Sequence, residues 1–248
     1  MAKLQRAAES RALSCWLLAV SLRGSDAPEQ SGASQQLKAK SQKPKASQGR
    51  SLRLRVQCRL MRLFTGLDLP GEVVRNLEAL VARLSPTTRI HWSPPANLHV
   101  TTKFIGEWPE DRLAELQSAL AALKARPAIE VAVAKVGFYP NERAPRVFWC
   151  GIEAPTLDVL AADTDAATAA LGVARENRPY SPHLTLARIA PLRTRDRVDL
   201  RPLHSALAGA GPLDFGRFTA RSFFLYRSQL SPAGSVYTKL AEFPFSKQ

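Results

Sequence analysis

Two hydrophobic periods take turns along the chain from residue 61 onward. An apolar run over 62–69 ends at Pro70-Gly71, as a strand entering a turn does. From Val74 the residues Leu77, Leu80, Val81 and Leu84 recur at helical spacing until Pro86 stops them. Period two returns over 98–106, where Leu98, Val100 and Phe104 share one parity and His99 and Thr101 the other. Pro109 opens a second helix with Leu113, Leu116, Leu120 and Leu123 on one stripe, ending near Lys124. Strands are expected over 129–133 and 146–152, with a turn at Tyr139-Pro140-Asn141-Glu142 between them. Pro155 opens a third helix carrying Leu157, Leu160, Ala167 and Leu171, and Gly172 is placed to end it. Alternation resumes over 183–189, and a weaker helical segment covers 198–207 despite Pro202. Strands over 218–226 and 235–243 close the chain.

This order predicts an α+β fold, mixed antiparallel sheet with helices rather than regular βαβ alternation. It also holds a crude repeat of a strand with His, a helix and two strands, beginning at Leu98 and again at Pro182. Two similar lobes follow from it.

Charge changes the picture mainly at the start of the chain. The net charge of +14 over 248 residues is uneven, because residues 1–60 hold 12 Lys and Arg against 3 Asp and Glu. The run 25–55 has almost no large apolar residue and cannot bury enough surface to offset the entropy of ordering it. Residues 1–60 are therefore read as an appended basic, disordered extension, and 61–248 as the folded domain. The apolar stretch 15–22 is far shorter than the roughly 20 residues that span a bilayer, and no small-x-small cleavage site follows it. Three widely spaced cysteines, Cys15, Cys58 and Cys150, build neither a disulfide framework nor a CxxC metal site, which fits a reduced, cytoplasmic setting. HExxH, EF-hand, GxxxxGK[ST] and GxGxxG patterns are all absent from the sequence.

The chemistry left to argue from is that of the histidines. Two of the four, in His99-Val100-Thr101 and His183-Leu184-Thr185, have Thr two places on and lie in period-two segments. On a strand, residues i and i+2 share a face roughly 6 to 7 Å apart, which sets an imidazole beside a hydroxyl. Two such units facing each other would bracket one cavity. One imidazole could take a proton from water while the other gives one to a departing oxygen, a pairing suited to in-line displacement at phosphorus near neutral pH. No third ligand of metal-site spacing accompanies the two histidines. Trp149 and Cys150, inside an apolar run, read as core; His204 reads as a helix residue; Lys103 and Arg193, Arg195, Arg197 and Arg201 read as a solvated basic face, or as groups tracking an RNA backbone.

Several stretches together resemble the bacterial and archaeal RNA 2′,3′-cyclic phosphodiesterases, also called 2′-5′ RNA ligases, of the 2H phosphoesterase superfamily. They are Met61-Arg62-Leu63-Phe64 with Asp68-Leu69-Pro70, Asn97 to Glu107, Pro145 to Trp149, Arg178 to Arg188, and Ser228 to Tyr237. The resemblance spans residues 61 to about 245. It implies a bilobal fold with pseudo-twofold symmetry and one His-x-Thr unit from each lobe lining a central cleft. It implies opening of a terminal 2′,3′-cyclic phosphate on RNA to a 2′-phosphate, without metal or cofactor and with 2′-5′ ligation as a related reaction. By the same resemblance His99 is the general acid for the O3′ leaving group and His183 the general base. Thr101 and Thr185 hold the phosphate oxygens, Arg188 contacts the phosphate, and Phe104 packs at the nucleobase. The implied partner is RNA with cyclic phosphate ends, tRNA fragments included, met by a monomer with no membrane role. Simple alternation puts Phe104 and Arg188, five residues after each His, on the face opposite it, so both roles require the strand to bend or twist there. Thr102 stands where such proteins often have an aliphatic residue. A noncatalytic RNA-binding module that keeps the cleft is the competing reading, separable only by turnover.

Overall fold

The structure is a computed structural model that describes residues 59–190, 198–231 and 234–246. The expected basic extension, apart from its last two residues, and Arg193, Arg195 and Arg197 lie outside the described residues. Nine strands and four α-helices follow one another along these residues: β1 (Leu60–Leu67), α1 (Gly71–Leu84), β2 (His91–Trp92), β3 (Val100–Pro109), α2 (Leu113–Ala121), β4 (Ile129–Tyr139), β5 (Val147–Glu153), α3 (Leu157–Ala170), β6 (His183–Arg188), α4 (Arg201–Ala208), β7 (Asp214–Ala220), β8 (Ser222–Ser231) and β9 (Gly234–Pro244).

The strands form two sheets, one ordered β3-β1-β8-β9 and the other β2-β6-β5-β4-β7, with every neighbouring pair antiparallel. Helices α2 and α3 cover the first sheet, through contacts of α3 with β3 and of α2 with β9; α1 and α4 cover the second, through α1 on β7. The α+β expectation and the two lobes are both present. The repeat, however, begins a strand and a helix earlier than the sequence reading put it. The series β1-α1-β3-α2 corresponds to β5-α3-β6-α4, with β1 beside β3 and β5 beside β6. Each lobe borrows from the other, because α1 leaves the first sheet to pack on the second and α3 does the reverse.

Three further differences have physical causes. The single strand expected over 218–226 is two, since the chain leaves the second sheet after Ala220, which pairs with Ile129, and enters the first at Ser222, which pairs with Pro244. The apolar pattern runs through this crossing and so hides it. β4 continues to Tyr139 past a register shift at Lys135, whose left-handed φ of 63° interrupts the alternation that would have revealed the rest of the strand. In α3 the buried stripe is Leu157, Leu160, Ala161, Thr164 and Thr168 rather than one through Ala167. The two threonines are accommodated because Thr164 donates to the Leu160 carbonyl (2.7 Å) and Thr168 to that of Thr164 (2.8 Å).

Candidate active site

The first His-x-Thr unit straddles the start of β3, with His99 one residue before it, and the second opens β6; the two strands touch where the lobes meet. Both strands carry an irregularity at the third position after the histidine. On β3, Thr102 has no partner, lying between the pairs Thr101↔Gly66 and Lys103↔Thr65; a second unpaired residue is Ile105. On β6, Leu186 is unpaired between Thr185↔Trp149 and Ala187↔Phe148. A bulge adds one residue and inverts the alternation beyond it. Consecutive residues therefore point inward, Thr102 and Lys103 on one strand and Leu186 and Ala187 on the other, all buried. The residue five places after each histidine consequently returns to the histidine's own face, the bend that the sequence required for Phe104 and Arg188. Phe104, 52% exposed, lies against the Phe64 ring (6.1 Å between centroids), and Phe64 lies against His99 (4.6 Å).

Each imidazole is pinned the same way. The carbonyl of Asn97 accepts from Nδ1 of His99 (2.7 Å) and that of Ser181 from Nδ1 of His183 (2.8 Å). A carbonyl can only accept, so each Nδ1 carries the proton and each Nε2 keeps its lone pair for chemistry. An aromatic ring stands edge-on to each imidazole, Tyr237 to His99 (5.1 Å, 89°) and Tyr139 to His183 (5.2 Å, 77°). The pinning carbonyls are themselves tied down. Asn97 donates its side-chain amide to the Ser235 carbonyl (2.6 Å), and the Ser181 hydroxyl bonds that of Tyr139 (2.8 Å). The threonine carbonyls are held too, Thr101 by the Tyr180 hydroxyl and Thr185 by that of Ser93, both at 2.7 Å.

Burial pushes His99 from its ordinary 6.5 down to about 4, against the opposing hydrogen bond to Asn97; the charge of His183 adds to the fall, that of Asp68 resists it and that of Arg188 adds again. His183 is likewise lowered by burial, with the Ser181 hydrogen bond opposing and Arg188 adding to the shift. Arg188 falls to about 10, again by burial, with Tyr237 resisting and Arg62 contributing. Groups from both lobes thus share one electrostatic space: His99, Arg62 and Tyr237 from the first, His183 and Arg188 from the second.

Several sequence assignments need correction. Lys103 is neither a surface cation nor an RNA contact. It is 6% exposed and donates to Asp165 (2.6 Å) and to the Ala174 carbonyl (2.8 Å), strapping β3 to α3 and to the segment that leads into the second His-x-Thr unit. Trp149 is not core. It stands opposite Thr185 on the cleft face, stacked on Tyr139 (5.1 Å), and lies so close over Gly137 that a Cβ there would fall 2.4 Å from its ring. Thr102, turned inward by the bulge, bonds its buried hydroxyl to that of Thr65 (2.8 Å). Cys150 is buried with its thiol pushed up to about 12, and His204 packs on Phe138 (4.9 Å), structural roles in both cases. Sequence reasoning passed over Phe64, Tyr139, Tyr180 and Tyr237. The parity of Phe64 with Arg62 was visible, but which face meets the cleft depends on the partner strands.

A two-sheet α+β fold with a pinned His-x-Thr unit on one strand of each sheet is the arrangement of a 2H phosphoesterase. The family described as LigT-like phosphoesterase matches residues 67–149 and 152–237, and the chain belongs to it. An RNA 2′,3′-cyclic phosphodiesterase of Methanocaldococcus jannaschii is 30% identical over 185 residues, 73% of this chain and 99% of the relative. Another, from Thermus thermophilus, is 32% identical over 193 residues, 74% of this chain and 89% of the relative. The solved structure of E. coli LigT complexed with 3′-AMP superposes with a TM-score of 0.61 at 26% identity, covering 76% of this chain and 99% of that one.

Proposed function

We propose that this protein is an RNA 2′,3′-cyclic phosphodiesterase that opens a terminal cyclic phosphate to a 2′-phosphate by general acid–base catalysis between two histidines, without a metal ion. The observation that carries the reading is the matched pair of imidazoles, one per lobe, each with Nδ1 fixed on a carbonyl and Nε2 left for proton transfer.

In this mechanism Nε2 of His183 takes a proton from water as the water oxygen bonds to phosphorus. The P–O3′ bond breaks on the opposite side, and Nε2 of protonated His99 gives its proton to O3′. The product keeps the phosphate on O2′, and solvent exchange resets the two rings. Burial leaves both rings neutral in the empty cleft, which suits the base; the acid gains its proton as the phosphate anion arrives and raises the pKa of His99. The Thr101 and Thr185 hydroxyls donate to the non-bridging oxygens, Arg188 pairs with their charge, and the exposed Phe104 ring receives the terminal base. With a 5′-hydroxyl in place of water, the same groups join two RNA ends 2′-5′. Tyr180 and the β3–β6 contact unite both halves of the site within one chain, which supports action as a monomer.

The test is incubation of an oligonucleotide bearing a 2′,3′-cyclic phosphate with EDTA-treated protein, followed by identification of the terminal isomer. A 2′-phosphate is expected at an undiminished rate. A 3′-phosphate, or turnover that appears only on adding a divalent ion, would overturn the proposal; binding without turnover would favour the noncatalytic module.

A further inference from the structure

Arg62 has no part in the chemistry above, yet it faces the same cleft. On β1 the side chains alternate, with Leu63, Thr65 and Leu67 buried under the helices and Phe64 turned to the His99 face; Arg62, two residues from Phe64 with no irregularity between their partners on β8, shares that face. Across the sheet Arg62 pairs with Ser228, and Ser228 with Tyr237, so the three stand in one row on β1, β8 and β9, with strands about 4.8 Å apart. That row lies next to the row Phe104, Phe64 and Tyr226, roughly 6 to 7 Å farther along the strands, and two such steps, about 13 Å, from Gly66, which pairs with Thr101; the long Arg62 side chain reaches back over part of that span toward the reacting phosphate.

The row's chemistry is that of a phosphate seat: a forked guanidinium, a hydroxyl and a phenol, all hydrogen-bond donors. Glu107 stands opposite Arg62 in register on β3, but Arg62 forms no ion pair with a carboxylate among the described residues. The charge of Arg62 reaches Arg188 of the other lobe, so two guanidinium groups face one region of the cleft, an arrangement that favours an anion between them. The reacting phosphate is already claimed by the histidines, the threonines and Arg188. An aromatic row and a row bearing a cation lie side by side on this floor, the two features that platforms for single-stranded nucleic acid combine.

We propose that Arg62, Ser228 and Tyr237 form a subsite for the internucleotide phosphate immediately 5′ of the reacting ribose, which makes an RNA chain, rather than a free nucleotide, the preferred substrate. This rests on the reading of the cleft as an RNA-end site, but its test reads binding and does not require turnover. Dissociation constants are measured for a nucleoside 2′-phosphate and for a dinucleotide carrying the same 2′-phosphate end, with the parent protein and with Arg62→Gln and Arg62→Lys. The parent is expected to favour the dinucleotide. Arg62→Gln should shrink that preference by about 10- to 100-fold, the worth of one charge-assisted hydrogen-bonded contact, with Arg62→Lys in between. For the dinucleotide, the slope of log affinity against log salt should flatten by about 0.7 in Arg62→Gln, as one phosphate contact is lost. Equal weakening of both ligands, or an unchanged preference, would overturn the subsite. Failure of the parent to hydrolyse any cyclic phosphate would overturn the proposed reaction while these binding ratios still decide the subsite.

Discussion

Replacing Lys103 with Met keeps most of the unbranched stem, one atom shorter, and removes its charge from a site that is 6% exposed. Asp165, 15% exposed, then loses its 2.6 Å partner and the Ala174 carbonyl loses a donor. Breaking a buried ion pair from one side costs about 3–5 kcal/mol. Asp165 retains the Glu176 amide (2.9 Å) and has Arg175 at 3.8 Å, so the loss belongs at the lower end, about 3 kcal/mol. Burial pushes the Asp165 carboxyl up, but hydrogen bonds from Lys103 and Glu176 and the charges of Lys103 and Arg175 outweigh it, leaving the group below its ordinary 3.8. A depressed carboxylate gives stability that is present above its unfolded value and lost as pH falls through the folded one. In the variant, burial without Lys103 raises the same group, so protonation relieves the variant first. The gap between the two proteins therefore narrows as pH falls from neutral toward 3.8 and closes further below it. Urea unfolding at a series of pH values measures the gap directly. A gap under about 1 kcal/mol at pH 7, or one that widens on acidification, would refute the account of Lys103 as a strap.

Other consequences can be checked singly. If the substrate anion raises His99 from about 4, as the proposed mechanism requires, the limb on which activity falls with rising pH should lie at higher pH in kcat than in kcat/KM, and coincident limbs would contradict the acid role. Phe104→Ala should raise KM for oligonucleotide ends about tenfold while changing stability by no more than about 0.5 kcal/mol, since the ring is half exposed; unfolding that shifts further marks it as core. Thr65→Val strands the buried Thr102 hydroxyl and should cost about 1–3 kcal/mol, most of it recovered when Thr102→Val is added, as a double-mutant cycle in urea would show.

The histidine pair was legible in the sequence because a strand's period carries the His-x-Thr spacing without any knowledge of its neighbours. The lobes were legible as well, in outline. What pairing decides was not. The bulges at Thr102 and Leu186 are defined only by the residues opposite them, and they alone bring Phe104 and Arg188 back to the histidine face. Lys103 reads as a surface cation until the bulge turns it inward onto Asp165, 62 residues away. Trp149 in Val-Phe-Trp-Cys looks like core because β5 is buried on one face, while its cross-strand partner Thr185 fixes the other face as the cleft. The switch of sheets at Arg221 leaves the hydrophobic pattern unbroken, so nothing local announces it.

The central claim is that rings from two lobes act on one phosphorus atom in a single displacement. It is tested most directly by hydrolysis rates of a cyclic-phosphate oligonucleotide with His99→Gln, His183→Gln and the double variant. Each single change should lower the rate by about 10² to 10⁴-fold, and the double change by little more than the worse single one, because the two groups work as a unit. A parent-like rate in either single variant, or losses that multiply as they do for independent sites, would contradict it.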